Sequence, residues 1–320
     1  MDNDLIIFSG SSHEKFAEAV AAKLFKKLGE RTTTKFSNEN IMIQVRENVR
    51  EKDVFVIQTS CPPVHENFME LLIFIDALKH ASASRITAVL PYMPYVRSDK
   101  KDQPRISITA RLVADLLETA GADRVLTMDL HSHQVQGFFR IPVDQLRAVN
   151  TLCEKLRQLD LNQDNAVLIA ADAGEAKHIG AFANRLDLPF AIIDKRRTGN
   201  DEKPKAVGIV GDVKDKICAI IDDEIASGGT LIQATNFLLN QGANKVMAAV
   251  THGVFSGSAC GRIKESAISK VIATDTIPAC NPLPDKIEYI TVTDLFAEAI
   301  KRIHTGESIS HIFQRGWDTR

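Results

Sequence analysis

A chain of 320 residues is too long for one ordinary core and suits two domains of about 150 residues each. With 44% hydrophobic and 25% charged residues, its composition is that of a folded globular protein and excludes wholesale disorder. The formal net charge of −2 leaves no basic excess for bulk nucleic-acid binding, so an anionic ligand must be met by local clusters.

Along the chain, short β-rich apolar runs alternate with helical patterns. In the first half, Leu5–Phe8, Val54–Ile57, Ile86–Leu90 and Val125–Met128 predict strands, with helices at His13–Leu28, His65–His80 and Ile108–Ala120. The second half predicts strands at Ala166–Ala170, Phe190–Ile193, Ile217–Ile221, Val246–Val250 and Val271–Thr274. Its helices are expected at Gly174–Leu186, Thr230–Asn240 and Leu295–His304. Such alternation implies parallel sheets covered on both faces. The unit from Asp53 to Pro91 runs strand, loop, amphipathic helix, strand, and the unit from Lys216 to His252 does the same at similar length. The expected architecture is therefore α/β, with two similar domains (1–147 and 148–320), each a mostly parallel sheet flanked by helices. Arg196–Ala206 holds Gly, Pro and many charges, and is expected to be an exposed, mobile connection between two strands.

Five cysteines (Cys61, Cys153, Cys218, Cys260 and Cys280) are scattered without a CxxC pair, which argues against a zinc knuckle or a disulfide framework. Cys218 lies in an apolar run and reads as a small core residue. The N-terminus has no basic region, and no stretch approaches the ~18 apolar residues of a membrane span, so a cytoplasmic location is expected.

The sharpest local signal is Ile217-Cys-Ala-Ile-Ile-Asp-Asp-Glu-Ile-Ala-Ser-Gly-Gly-Thr230. Five apolar residues form a buried strand that ends in Asp222 and Asp223. Ligands of open α/β sheets bind outside the carboxyl ends of strands, so these acids sit where function is expected. The loop Ala226, Ser227, Gly228, Gly229, Thr230 then enters a helix, and its small residues let backbone N–H groups converge on an anion. A sugar phosphate is the implied ligand, its phosphate in the loop and its hydroxyls near the aspartates.

This pattern resembles the phosphoribosyl-pyrophosphate loop. Further segments occur in the order seen in the ribose-phosphate pyrophosphokinase family: Phe36–Asn40, Pro91–Lys101, Ile106–Asp115, Met128–His131, Gln134–Phe139, Asp172–Gly174, Asp194–Arg197, Val210–Val213, Thr251–Gly257 and Thr305–Ser308. The chain is identified as resembling that family from about Phe8 to Phe313. The resemblance implies tandem phosphoribosyltransferase-like domains that transfer diphosphate from ATP to ribose 5-phosphate with Mg²⁺, in a homo-oligomer (a hexamer built from dimers). It implies that Phe36 stacks on adenine while Asn38, Glu39, Asn40, Arg97 and Ser98 line the nucleotide site. His131 and Asp172 match the Mg²⁺-associated residues, and Lys195 and Arg197 the catalytic cations. Ribose 5-phosphate falls to Arg197, Asp222, Asp223 and Ala226–Thr230. No nucleic acid or membrane partner is implied.

The chain departs from the family's usual pattern at Asn40, Ser98, Glu175, Ala226 and Ser227; Ser227 keeps a hydroxyl. Asn48 stands in place of a serine used with the Arg50 position for effector control. Two rival readings use fewer of these motifs. A phosphoribosyltransferase would need only Asp222–Thr230, and a non-catalytic regulatory subunit would have no use for the retained His131, Asp172, Lys195, Arg197, Asp222 and Asp223.

Overall fold

A computed structural model describes residues 4–172, 174, 176–196, 205–310 and 312. Two compact units result. One runs up to Arg147 and adds Thr276–Pro278 and the chain from Val292; the other comprises Ala148–Asp275 and Ala279–Thr291. The division falls between Arg147 and Ala148, and the chain from Val292 groups with the first unit.

The first unit is built on five parallel strands: β1 (Leu5–Ser9), β4 (Asp53–Ile57), β5 (Arg85–Leu90), β6 (Arg124–Met128) and β7 (Val143–Leu146), side by side in that order. Helices α1 (Glu14–Lys23), α2 (Val64–His80), α3 (Thr109–Ala120) and α8 (Thr293–Thr305) belong to this unit. In α3 the buried residues Ala110, Val113, Ala114 and Leu117 recur at helical spacing, and Gly121 ends the helix in the left-handed region at φ 116°. That face joins Phe8, Val54, Val56, Phe74, Ile86 and Val125 in one apolar cluster. The helix expected to reach Leu28 stops at Lys23. Beyond it Phe25 takes φ 55°, and Leu28 bridges to Ile7, which pulls the chain onto the sheet. The hairpin of β2 (Arg31–Lys35) and β3 (Ile41–Val45) was not legible in the sequence, since both strands are short and β2 has no apolar residue to pair with the apolar run of β3.

Helix α8 joins the first unit through identifiable contacts. The Phe16 and Phe296 rings meet edge-on with centroids 5.4 Å apart. The Asp53 carboxylate takes both a two-pronged grip from Arg85 (2.8 and 2.5 Å) and Nδ1 of His304 at 2.7 Å, while Arg85 also donates to the Ile303 carbonyl. The Asp53 side chain is only 12% exposed, and its charge holds the Arg85 guanidinium above its usual range. Removing that charge leaves Arg85 half-buried without its counter-ion. Asp53→Asn is therefore expected to lower unfolding stability by about 2 kcal/mol. Urea denaturation checks this, and an unchanged midpoint would contradict it.

The second unit carries seven strands in the order β10-β9-β8-β11-β12-β13-β14. These are β8 (Ala166–Ala170), β9 (Phe190–Arg196), β10 (Lys205–Val210), β11 (Ile217–Ile225), β12 (Lys245–Gly253), β13 (Lys270–Thr274) and β14 (Ile287–Ile290). Only β10 runs antiparallel, against β9. Helices α4 (Val149–Arg157), α5 (Ala176–Leu186), α6 (Gly229–Asn240) and α7 (Ala259–Glu265) connect them. The expected connection Arg196–Ala206 is shorter at both ends, because Arg196 belongs to β9 and Lys205 and Ala206 to β10; residues 197–204 lie outside the described residues. Both units contain a strand–helix–strand crossover where the sequence repeats itself, β4–α2–β5 and β11–α6–β12, each joining adjacent parallel strands.

One disulfide, Cys260–Cys280, joins α7 to the segment after β13, a pairing that residue spacing does not reveal. Cys61, Cys153 and Cys218 are free and buried. Burial pushes the Cys153 and Cys218 thiols up to about 12, so Cys218 is the inert core residue its apolar run suggests. Among the described residues no helix is long and apolar enough to cross a membrane.

Candidate functional site

Strand order locates the most favourable crevice. From β8 the chain moves outward to β9, then returns to lay β11 on the opposite side of β8. The order reverses between β8 and β11, and connections leave the two carboxyl ends in opposite directions, opening a crevice for a ligand. The first sheet has no such reversal, since its parallel strands follow one another in sequence order.

Strand β11 is longer than its apolar run predicts. Pairing with β8 stops at Ile221 opposite Ala170, but pairing with β12 continues to Ile225 opposite Gly253. Asp222 and Asp223 are thus within the strand yet beyond the end of β8, a correction to a strand ending at Ile221. Asp172 follows β8 by two residues, so three carboxylates belong to the carboxyl ends of these two neighbouring strands. Asp172 is exposed and its Oδ1 accepts the Gly174 N–H at 2.8 Å. Asp222 is half-buried and its Oδ1 accepts the Asp223 N–H at 2.9 Å; buried Asp223 accepts the Glu224 N–H at 2.9 Å. Each carboxylate is oriented by its own backbone.

Beyond Ile225 the chain turns through Ala226, Ser227 and Gly228 into α6. Gly228 takes φ 74°, a conformation that disfavours any side chain, although a Cβ would meet Ile263 only at an ordinary 3.7 Å. No side chain caps α6, so its first amides are available to an anion, where the helix dipole favours negative charge. The loop is held from behind. The Phe255 N–H donates to the Ile225 carbonyl at 3.0 Å, the Ser256 N–H to the Ala226 carbonyl at 2.9 Å, and the Arg262 guanidinium to the Ser227 carbonyl. Ser227 and Thr230 are exposed. Arg262 is absent from the sequence reading, for nothing in its spacing connects it with a loop 35 residues earlier.

The predicted nucleotide-binding residues lie in the first unit. Phe36–Asn40 form the tip of the β2–β3 hairpin, where the Phe36 N–H donates to the Asn40 carbonyl and the Glu39 N–H to the Phe36 carbonyl, both at 2.9 Å. Asn38 Oδ1 accepts the Asn40 N–H at 3.2 Å. Phe36, Asn38, Glu39 and Asn40 are exposed, and Phe36 at 47% is no core residue. Lys35, paired with Ile41 next to the tip, bonds Glu66 on α2 at 2.8 Å, which raises its pKa and anchors the tip end of the hairpin. Arg97, exposed, follows β5, and His131, also exposed, follows the adjacent β6 at the same end of the sheet. Ser98 is engaged with the start of α3, its Oγ 3.3 Å from both the Ser107 carbonyl and Thr109 Oγ1. His133, for which the sequence suggests no role, has its ring nitrogens near Gln145 and Arg147.

Lys195 lies on β9 opposite Ala206, while Arg197 and Glu175 lie outside the described residues. Among the described residues no group of three or more His, Cys, Asp or Glu side chains converges to hold a metal ion.

Two family models match the chain: the N-terminal domain of ribose phosphate pyrophosphokinase over residues 5–121, and the phosphoribosyl synthetase-associated domain over residues 197–314. The chain is 39% identical to phosphoribosylpyrophosphate synthetase from Mycobacterium smegmatis, covering 95% of this chain and 99% of that one, with a TM-score of 0.89. It is also similar to a purine phosphoribosyltransferase from Pyrococcus horikoshii Ot3, at 23% identity over 53% of this chain and 89% of that one, with a TM-score of 0.30. The two family models and the phosphoribosylpyrophosphate synthetase match, the latter over nearly the whole chain, show that the protein belongs to the ribose-phosphate pyrophosphokinase family, the enzymes of phosphoribosyl pyrophosphate synthesis.

Proposed function

We propose that the protein transfers the β,γ-diphosphate of ATP to the 1-hydroxyl of ribose 5-phosphate, giving 5-phosphoribosyl 1-pyrophosphate and AMP. The observation that carries this reading is the pair Asp222 and Asp223 at the β8/β11 switch point, leading directly into an uncapped helix N-terminus. An anion cradle beside paired carboxylates suits a ligand with phosphate at one end and hydroxyls at the other. We assign the 5-phosphate to the amides and hydroxyls of Ala226–Thr230 and the ribose hydroxyls to Asp222 and Asp223, with Arg197 as a further ribose 5-phosphate contact.

The nucleotide is assigned to Phe36, Asn38, Glu39, Asn40, Arg97 and Ser98. An exposed aromatic ring on a hairpin tip suits stacking on a base, and the Arg97 guanidinium suits the polyphosphate. Base stacking is worth roughly 1–3 kcal/mol, so Phe36→Ala is expected to raise KM for ATP about tenfold. KM for ribose 5-phosphate and thermal stability should hardly move, since Phe36 supports no core. Steady-state kinetics with each substrate varied checks this, and an unchanged KM for ATP removes Phe36 from the site.

In the reaction, the anomeric oxygen of ribose 5-phosphate attacks the β-phosphorus in line. The new C1–O–Pβ linkage forms as the bond from Pβ to the α,β-bridging oxygen breaks. AMP departs with that oxygen, and the hydroxyl proton is lost to solvent. Lys195 and Arg197 offset the negative charge gathered on the transferring group, since phosphoryl-type transfer depends on positioning and charge stabilisation. Asp172 would hold Mg²⁺, its carboxylate supplying the hard oxygen the ion prefers, and the family resemblance assigns His131 to Mg²⁺ as well. When bound, Mg²⁺ neutralises charge on the diphosphate.

The family resemblance supports a cytoplasmic homo-oligomer, a hexamer built from dimers. Incubation of the purified chain with Mg²⁺, ATP and ribose 5-phosphate should yield AMP and phosphoribosyl pyrophosphate in equal amounts. Omission of the sugar should abolish AMP formation. AMP formation independent of the sugar, or none at all, contradicts the assignment.

A further inference from the structure

Helix α7 lies against the back of the loop between β11 and α6. The side chain of Ile263 and Cβ of Ala259 are the nearest atoms to a Cβ built on Gly228. From the same helix the exposed Arg262 reaches the Ser227 carbonyl oxygen. A trans peptide is planar, and its C=O and N–H point in opposite directions. Whatever grips the Ser227 carbonyl therefore also aims the Gly228 N–H, and aims it away from α7. Gly228 is the N-cap residue of α6, and its left-handed conformation is one that a glycine adopts without steric cost but also without steric guidance. The chain needs something to stop this peptide from rotating. Backbone bonds hold Ile225 and Ala226, and Ile232 holds the far side at the Gly228 carbonyl. The peptide between Ser227 and Gly228 is the segment left to Arg262.

We propose that Arg262 is a positioning residue of the sugar-phosphate loop: by holding the Ser227 carbonyl it directs the Gly228 amide at the 5-phosphate of ribose 5-phosphate. This inference rests on the assignment of that loop to ribose 5-phosphate. It concerns preorganisation, so its consequence falls on sugar-phosphate affinity and not on ATP.

The test is calorimetric titration of the full chain with ribose 5-phosphate, in the presence of Mg²⁺ and α,β-methylene ATP, which cannot break at the bond cleaved in the reaction. Wild type is compared with R262M, R262A and R262K. Methionine keeps helix propensity and bulk but donates nothing, whereas lysine keeps a donor. R262M and R262A should each bind ribose 5-phosphate about tenfold more weakly, the effect of one charge-assisted hydrogen bond, with R262K in between. KM for ATP should stay within about threefold in all variants. The loss should persist at about 500 mM KCl as at about 50 mM, because screening weakens a through-space charge effect but not a held peptide.

Affinity within twofold of wild type for R262M, with R262A folded or not, overturns the inference and leaves the reaction assignment standing. A loss that disappears at high salt overturns it in favour of simple attraction between Arg262 and the phosphate. An equal loss of ATP affinity overturns it in favour of general support of the fold. If wild type itself neither binds ribose 5-phosphate nor turns it over, the reaction assignment fails, and the role of Arg262 fails with it.

Discussion

Lys195→Ala should lower kcat by about a thousandfold while leaving the affinities for ATP and ribose 5-phosphate within a few-fold of wild type. The expected size follows from what diphosphate transfer asks of a protein. The group in flight carries several negative charges, and a fixed cation that approaches them in the transition state lowers the barrier without tightening the ground state. Lys195 occupies β9 opposite Ala206, so alanine there leaves the backbone pairing in place and removes the side chain beyond Cβ, the ammonium group with it. The informative measurement is a single-turnover rate with both substrates saturating. A rate within tenfold of wild type would remove Lys195 from the chemistry, and a proportionate rise in both KM values would reassign it to binding.

Asp222→Asn should reduce kcat/KM for ribose 5-phosphate by about a hundredfold, through hydrogen bonds from sugar hydroxyls to a carboxylate worth about 1.5–3 kcal/mol. The substitution is a clean one. Asp222 uses Oδ1 to accept the Asp223 N–H at 2.9 Å, and an asparagine oxygen can accept the same bond. The turn is kept while the charge and one acceptor are lost. KM for ATP should change less than threefold. If ribose 5-phosphate kinetics are untouched while the variant melts earlier, the carboxylate serves the strand and not the sugar.

The parts of the fold that could be read in advance are those where one local pattern decides the outcome. Ala166–Ala170 is fully buried and was legible to the residue, because a five-residue apolar run directly before the helical pattern at Gly174–Leu186 reads as a buried parallel strand. The same rule misplaced the end of β11. Apolarity stops at Ile221, but the ladder is set by how far β12 extends, and it carries the strand through two aspartates and a glutamate. The hairpin β2–β3 is hidden because Arg31-Thr-Thr-Thr-Lys35 gives no alternation of apolar and polar positions and the apolar run of β3 is short. The chain beyond Val292 was expected in the second domain, and no local pattern shows that Phe296 meets Phe16 or that His304 meets Asp53.

The candidate site divides along the same line. Asp222–Thr230 was readable because the acids, the small residues and the helix start are contiguous, so sequence distance and spatial distance agree. Asp172 joins them through the pairing of β8 with β11, which an alternating strand pattern allows but does not specify. The roles given to Phe36, Arg97, His131 and Lys195 came from resemblance. Structure adds that Phe36 is exposed on a hairpin tip and that Ser98 is tied to α3. Arg262 and the Cys260–Cys280 bond left no sequence trace, since each depends on where α7 comes to rest.

Diphosphate transfer, as opposed to transfer of a single phosphoryl group, is tested most directly by following ATP radiolabelled in its β-phosphate. With Mg²⁺ and ribose 5-phosphate, the label should pass into the sugar product and the nucleotide released should be unlabelled AMP. Label retained in ADP, or a sugar product carrying only the γ-phosphate, would contradict attack at the β-phosphorus.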